Sequence, residues 1–254
     1  MAKNIIRILF TLANVAHFSY IIYFISCLKI PGHRHNAMGG QWKFLTYWNI
    51  WLQLIYFSVA LMNEVFGARK ESASKILKVR DFLFGTMAFP LGTFVTVSFW
   101  LLYSIDRNFV FPPKMDEFYP VWANHMCHTT CMISQFIEMT TSSHVYPSRK
   151  KGILTSVCFA LVYLGWVLVI AFKANIWIYG ILQKLPTIGR AIFLGGSSLI
   201  FGSLYLFGEF LNNRKWSSPQ PVKLVQEVTE NGNDEPLPTH SYNTRSRRKV
   251  AKAD

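Results

Sequence analysis

The segment Val121–Thr141, interpreted as a helix, places a row of polar side chains on one face. The row recurs at spacings of three and four residues, which is the period of a single helical face. It consists of Asn124, His128, Cys131, Gln135 and Glu138, and Ser142 continues it. Because His, Gln and Glu are costly against hydrocarbon, such a face in a membrane helix must look inward, and it is a functional-site hypothesis. The alternative is a polar seam that only holds helices together.

Thr46 is the second candidate, and it lies near the start of the apolar stretch Phe44–Phe66. If the N-terminus is cytoplasmic, this stretch and Val121–Thr141 both run inward from the outer face. His128 then lies roughly 10 Å below Val121, and we expect Thr46 at a similar depth. A hydroxyl beside an imidazole is the nucleophile–base pair of acyl transfer. The simpler interpretation of Thr46 is a hydroxyl bonded to a backbone carbonyl one turn earlier.

The composition indicates the element that must position these residues, a bundle of membrane helices. The chain has 254 residues, of which 51% are hydrophobic, 16% aromatic and only 15% charged. A spanning helix needs about 20 apolar residues. We therefore predict an all-α, polytopic membrane protein with six transmembrane helices in residues 1–215. The predicted spans are Ile5–Leu28, Phe44–Phe66, Phe82–Tyr103, Val121–Thr141, Gly152–Phe172 and Ile188–Leu211.

The net charge of +13 is distributed in a way that argues against nucleic-acid binding. Lys and Arg concentrate before the first predicted span, in the loops after the second and fourth spans, and in the C-terminal tail. The positive-inside rule therefore predicts that both termini are cytoplasmic. Residues 216–254 are polar and lack an apolar period, so we predict a disordered, basic cytoplasmic tail.

Two other interpretations of the polar residues are open at this point. His125, His128, Cys127 and Cys131 could hold a metal or haem, and His33 with His35 form an H-x-H pair in a loop. The polar face could instead line the path of a carrier or channel. That function would call for more intramembrane charges or an internal repeat, and the sequence has neither. We expect no metal and no cofactor.

Several short motifs, in order along residues 5–215, resemble the androgen-induced, ADTRP-like transmembrane protein family. They are Gly40–Thr46, Arg80-Asp81, Ala88-Phe89-Pro90, Asn124-His125 with His128-Thr129-Thr130, Tyr146-Pro147-Ser148-Arg149, and Gly208-Glu209 with Asn212-Asn213. Where members of that family have Gly-Met between the two histidines, this chain has Met126-Cys127. The change is expected to alter packing or substrate width without touching the Thr–His pair.

The resemblance implies a membrane hydrolase that cleaves fatty acid esters of hydroxy fatty acids. It places the nucleophile on Thr46 and the base on His128, while His125 is only the neighbouring motif histidine. Asn124, His125, Gln135 and Glu138 are expected to support the pair or line its pocket. Gln135 and Glu138 lie deeper along the helix, and the alternative for them is to bond neighbouring helices. The expected partners are a lipid ester from the bilayer and the membrane itself, in the plasma membrane or endoplasmic reticulum, whereas protein partners are unknown. A non-enzymatic membrane regulator or a small-molecule carrier remains the alternative.

Overall fold

A computed structural model of the protein describes residues 2–28, 38–66 and 72–216. Within these ranges the chain forms helices and turns without a β-strand, which confirms the all-α prediction. The predictions for His33, His35 and the tail from residue 217 onward lie outside the described residues. The helices are α1 (Ala2–Cys27), α2 (Leu45–Phe66), α3 (Ser72–Leu83), α4 (Phe89–Ile105), α5 (Val121–His128), α6 (Thr130–Thr141), α7 (Arg149–Ala174), α8 (Gly180–Lys184) and α9 (Thr187–Lys215).

Five helices in the described part of the chain are long and apolar enough to cross a membrane. They correspond to five of the six predicted spans. The third of them is longer than predicted, because α3, a π-helical turn at Phe84–Ala88 and α4 join into one span at Lys75–Ile105. The π-helical turn ends two residues before Pro90. From the sequence, Phe89-Pro90 predicts a kink at this place, and proline and π-turns both disturb the regular hydrogen-bond ladder.

The prediction of a helix over Val121–Thr141 is confirmed except for an interruption at the single residue Thr129, which separates α5 from α6. Two side chains that follow the break donate hydrogen bonds to backbone carbonyls of the preceding turn. The Thr130 hydroxyl donates to the carbonyl of Met126 at 2.8 Å, and the Cys131 thiol donates to the carbonyl of Cys127 at 3.2 Å. Bonds of this kind to the preceding turn bend helices. Hydropathy does not register them, because they depend on side-chain rotamers.

The sequence also predicts a cytoplasmic loop at Gly67–Asp81, with Lys75, Lys78 and Arg80 on anionic headgroups. This prediction is partly wrong, because α3 already begins at Ser72. Arg80, which we expected to lie on lipid headgroups, is buried together with Asp81. The two side chains form an ion pair with an N–O distance of 2.6 Å. Arg80 also donates to the Ser142 hydroxyl at 3.0 Å, so it joins α3 to the end of α6. The guanidinium charge of Arg80 is compensated by these partners inside the protein, so it does not require contact with lipid headgroups.

Glu138 is the centre of a buried polar cluster at this end of the bundle. Its carboxylate accepts two hydrogen bonds from the Arg7 guanidinium, at 2.9 and 3.0 Å, and one from the Tyr56 hydroxyl at 2.9 Å. Arg7 also contacts Glu64 at 3.0 Å. Since these residues lie on α1, α2 and α6, the cluster ties three helices together. The bidentate Arg–carboxylate geometry is the strongest form of such a contact.

Gln135 links α6 to α2 in the same way, one turn nearer to His128. Its side-chain amide donates to the Gln53 carbonyl oxygen, and Gln53 in turn donates to Asn49 at 3.0 Å and to the backbone of Ala88 at 2.9 Å. All four residues are completely buried. The part of the polar face formed by Gln135 and Glu138 therefore holds helices together.

Replacing Glu138 with Ala should lower the free energy of unfolding by about 3 kcal/mol, because Arg7 would keep its buried charge without this carboxylate. Glu209→Ala is the matched control. Its partner Arg149 has a side chain that is 71% exposed, so this change should cost less than about 1 kcal/mol. Thermal unfolding in detergent micelles measures both variants. Equal melting temperatures for the two would contradict a structural role for the cluster.

Candidate functional site

Thr46 lies in the first turn of α2, directly after a tight backbone turn. A 3₁₀ turn at Gly40–Lys43 leads into the extended residue Phe44, and α2 begins at the next residue. Gly39 enters this turn with a φ of +89°, a left-handed conformation in which a side chain would be strained. The turn therefore sets the position at which α2 starts and the side on which the Thr46 hydroxyl emerges.

Two tyrosines hold the start of α2 in place. The Leu45 amide donates to the Tyr179 hydroxyl at 3.1 Å, and the Tyr163 hydroxyl donates to the Lys43 carbonyl at 2.9 Å. The two hydroxyls lie 2.9 Å apart, so Tyr179 donates to Tyr163 and completes the chain of bonds. Burial raises the pKa of Tyr179, which keeps its hydroxyl protonated for this purpose. Backbone groups on both sides of Phe44 are thus anchored to α7 and to the segment before α8.

The Thr46 hydroxyl and the His128 ring are in direct contact. Thr46 Oγ1 lies 3.1 Å from His128 Nε2. The other ring nitrogen, Nδ1, lies 2.8 Å from the side-chain oxygen of Asn124 and 3.1 Å from its backbone carbonyl oxygen. Both oxygens are acceptors, so Nδ1 carries the proton and Nε2 is left to accept the proton of Thr46. This is the arrangement of a hydroxyl nucleophile, a base and an orienting group.

The His128 ring is also fixed in its plane. Phe99 of α4 stacks on it with a centroid distance of 3.6 Å and an interplanar angle of 12°. His128 and Asn124 are buried, whereas Thr46 is half-buried. Asn124, which was expected to support the pair or line its pocket, supplies both of the oxygens that face Nδ1 of His128. The sequence indicates that Asn124 lies next to His128, because residues four apart on a helix lie on one face.

The remaining predicted residues are not in contact with Thr46. His125 is exposed, stacks on Trp100 with a centroid distance of 5.1 Å and bonds to the Thr129 hydroxyl at 3.0 Å. Gln135 and Glu138 bond to other helices, as described above, and neither lines the cavities at Thr46. Of the two alternatives for Gln135 and Glu138, the structure shows the bonding of neighbouring helices.

The neighbouring cysteines are also bonded within the protein. Cys127 is buried, with its sulfur 2.9 Å from the Tyr119 hydroxyl. Cys131 bonds to the backbone carbonyl of Cys127. In the described parts of the chain, no group of three His, Cys, Asp or Glu side chains is arranged to hold a metal ion. The metal alternative therefore has no geometric support among these residues.

Two cavities meet at Thr46. The first has a volume of about 130 Å³ and lies between α4, α7 and α9, with walls that are almost entirely apolar. A cavity with such apolar walls is suited to binding a hydrocarbon chain. Residues of its wall on these three helices include Leu91, Phe94, Phe159, Leu164, Leu194 and Phe201.

The second cavity has a volume of about 420 Å³ and reaches both Thr46 and His128. Its lining is mixed and includes Lys43, Gln41 and Gln183. Thr46, Phe99, Val110 and Tyr179 line both cavities, so Thr46 lies where the two spaces adjoin.

Two connecting segments cover this second cavity, residues 108–119 between α4 and α5 and residues 176–183 between α7 and α9. Asp106, two residues before the first segment, and Lys184, the residue after the second, form an ion pair of 2.7 Å that connects the two segments. The hydrogen bonds from Lys184 and from the Asn108 amide lower the pKa of Asp106 to about 2, so the carboxylate stays charged at neutral pH. The sequence predicts that Ala174–Leu182, which is too short to span, is an interfacial or re-entrant segment. In the structure, residues of this segment line the second cavity.

Comparison with known proteins identifies relatives over nearly the whole membrane domain. A family model described as FAR-17a/AIG1-like protein matches residues 6–213. The human androgen-induced gene 1 protein is 33% identical over 210 residues, which are 79% of this chain and 87% of that protein. The human androgen-dependent TFPI-regulating protein is 35% identical over 190 residues, which are 74% of this chain and 83% of that protein. No solved structure matches the chain.

Proposed function

The chain belongs to the FAR-17a/AIG1-like family, a family of membrane proteins, and on this basis we propose that it is an integral-membrane hydrolase of lipid esters. The substrates would be fatty acid esters of hydroxy fatty acids, as the motif resemblance implies. The observation that carries the proposal is the hydrogen bond of 3.1 Å between Thr46 Oγ1 and His128 Nε2 at the junction of two cavities. The apolar helices of the chain indicate a multi-pass membrane protein. We propose the plasma membrane or endoplasmic reticulum as its location.

The first half of the reaction would form an acyl-threonine. Thr46 Oγ1 attacks the ester carbonyl carbon while His128 Nε2 accepts the hydroxyl proton. The tetrahedral intermediate then collapses, and the bond between the carbonyl carbon and the alkoxy oxygen breaks. His128 returns the proton to that oxygen, and the hydroxy acid leaves. Asn124 keeps the ring in the tautomer that both transfers require, through its contact of 2.8 Å with Nδ1.

The second half would release the fatty acid. His128 Nε2 accepts a proton from a water molecule, which attacks the acyl carbon. The Thr46 oxygen leaves and recovers the proton from His128. The larger cavity, with its polar lining, gives water a path to the site. Because Thr46 lies in the first turn of α2, the positive end of the helix dipole also favours the negative charge that develops on the oxygens.

The carrier alternative has less support. A polar path across the membrane would use Gln135 and Glu138, yet both side chains are engaged with Gln53, Tyr56 and Arg7. The regulatory alternative rests on the name of one relative, which describes regulation of TFPI by that protein. A hydrolase could itself act as a regulator by consuming a lipid signal, so the two functions are compatible.

Thr46→Ala and His128→Ala should each lower ester hydrolysis by about 10³-fold or more, because they remove the nucleophile and the general base. Thr46→Ser should keep measurable activity, since it preserves the hydroxyl. Hydrolysis of a palmitic acid ester of hydroxystearic acid and labelling by a fluorophosphonate probe would be measured in membranes that contain equal amounts of each variant.

His125→Ala is the matched control for this series, because it removes the neighbouring histidine on the same helix without reaching Thr46. It should retain hydrolysis within about threefold of the unmodified protein. If Thr46→Ala keeps normal turnover and labelling, the covalent mechanism is wrong.

Asn124→Leu should reduce kcat by about 10- to 100-fold with little change in KM, because His128 would lose the orienting oxygen of the side chain. Some activity should persist, as the backbone carbonyl of Asn124 also accepts from Nδ1 at 3.1 Å. Gln135→Leu removes an amide from the same polar face at a distance from Thr46. It should lower thermal stability without this fall in kcat. A fall of the same size in both variants would assign Asn124 a purely structural role.

A further inference from the structure

The apolar cavity extends away from the Thr–His pair along α4. Phe99, which stacks on His128, lines both cavities, whereas Leu91 on the same helix lines only the apolar one. The two α4 residues are eight positions apart within one regular helix, which corresponds to about 12 Å along its axis. The cavity therefore reaches from the neighbourhood of Thr46 into the bundle.

The directions of three helices identify the far end of this cavity. Along α7, the Tyr163 hydroxyl bonds to the turn before α2, and Phe159, the first α7 residue of the wall, lies one turn earlier. Along α9, which follows the segment that covers the larger cavity, Phe201 is the last residue of the wall. Along α4, Leu91 is the first. The end that is remote from the reactive pair is therefore formed by residues of all three helices.

Aromatic rings from the three helices meet at this end. The Phe201 ring contacts that of Phe159, with centroids 5.9 Å apart, and that of Phe94, at 5.8 Å. Leu91 and Phe201 are buried members of one core cluster, against which the other two phenylalanines pack. We call the three phenylalanines the aromatic stop. Because protein interiors are close-packed, a chain in the cavity would have to displace one of these rings to extend further.

The wall of this cavity is matched to the acyl half of a branched ester. Its Ser98 hydroxyl donates to the Phe94 carbonyl at 2.6 Å, and its Ser198 hydroxyl donates to the Leu194 carbonyl at 2.9 Å, so both protons are used within the helices. The acyl half is a single hydrocarbon chain. The hydroxy-acid half has two arms and a carboxylate, which fit the larger, mixed cavity of about 420 Å³.

We propose that the apolar cavity binds the acyl chain of the ester and that the aromatic stop sets the longest acyl chain that the protein accepts. The ester carbonyl lies at Thr46, and the methyl end of the longest accepted chain contacts the stop. This inference rests on the proposed hydrolase function and adds to it a limit on the substrate. The limit applies to the acyl half and leaves the length of the hydroxy acid free.

The test uses two series of esters in detergent micelles. The first series varies the acyl chain from lauric to behenic acid on a constant hydroxystearic acid, and the second varies the hydroxy acid under a constant palmitoyl group. For the unmodified protein, kcat/KM should fall by about 10-fold or more once the acyl chain exceeds the cavity. Phe201→Ala should raise kcat/KM for these longer acyl chains by about 10-fold relative to palmitate, and it should leave the order of the second series unchanged.

Ala160→Leu is the complementary variant, which adds volume where Phe201→Ala removes it. Ala160 lines the apolar cavity and packs against the same core cluster as the aromatic stop. The larger side chain should move the longest accepted acyl chain to shorter acids. Since loss of stability alone does not shift the limit in opposite directions, the two variants together report on the shape of the cavity. If Phe201→Ala does not fold, the shift expected for Ala160→Leu still decides.

Phe57→Ala is the matched control. Phe57 is completely buried in the other core cluster and lines neither of the two cavities. Its truncation should lower thermal stability by an amount similar to that of Phe201→Ala and leave the dependence of kcat/KM on acyl length unchanged. The same shift toward longer acyl chains in this control would contradict a specific stop at Phe201.

A second readout separates failure of this inference from failure of the proposed function. Binding of both series is measured with Thr46→Ala protein, which does not consume the esters, with and without Phe201→Ala. A limit on acyl length that Phe201→Ala relaxes supports the stop, even if the unmodified protein hydrolyses none of the esters. Absence of hydrolysis alone would overturn only the proposed function. Absence of a length limit, a limit that neither cavity variant moves, or a shift confined to the second series would overturn the inference.

Discussion

A polar side chain within a membrane bundle must find its hydrogen-bond partner inside the protein, and this constraint determines the arrangement of α5 and α6. Their polar face cannot turn toward hydrocarbon, so it turns toward α1, α2 and α4. Glu138 contacts Arg7 and Tyr56, and Gln135 contacts Gln53. The positions of these helices follow from those contacts. His128 is then brought to the start of α2, where the Thr46 hydroxyl is the partner it finds.

One polar face therefore serves two purposes along its length. Toward α6 its residues are paired with other helices and contribute to stability. Toward α5, His128 lines the larger cavity, and Thr46, which completes the Asn124–His128–Thr46 chain of hydrogen bonds, lines both cavities. The break at Thr129 lies between the two parts. The sequence offers a polar seam and a functional site as alternatives for this face. The structure shows the seam at Gln135 and Glu138, and the residues that we propose as the site, Asn124 and His128, lie on another part of the same face.

Periodicity and hydropathy were sufficient to predict an all-helical membrane bundle and the inward direction of the polar face, because both depend on the local sequence. The motif resemblance singled out Thr46 and His128 as a pair, and the structure brings them together. Contacts between segments that are distant in the chain could not be predicted from local sequence. Examples are the burial of Arg80 with Asp81 and the hydrogen bond between the Leu45 amide and the Tyr179 hydroxyl. The break at Thr129 was missed for a similar reason, since hydropathy carries no information about side-chain bonds to the backbone.

The central claim is that the acyl group is carried on the oxygen of Thr46, and the most direct test is to locate the modified atom by peptide mass spectrometry. Membranes would be treated with a fluorophosphonate, and the labelled protein would be digested and sequenced by fragmentation. The account predicts a phosphonyl group on Thr46, absent when His128 is replaced by Ala. An adduct on another residue, such as Ser197 or Ser198 in the wall of the apolar cavity, would contradict it.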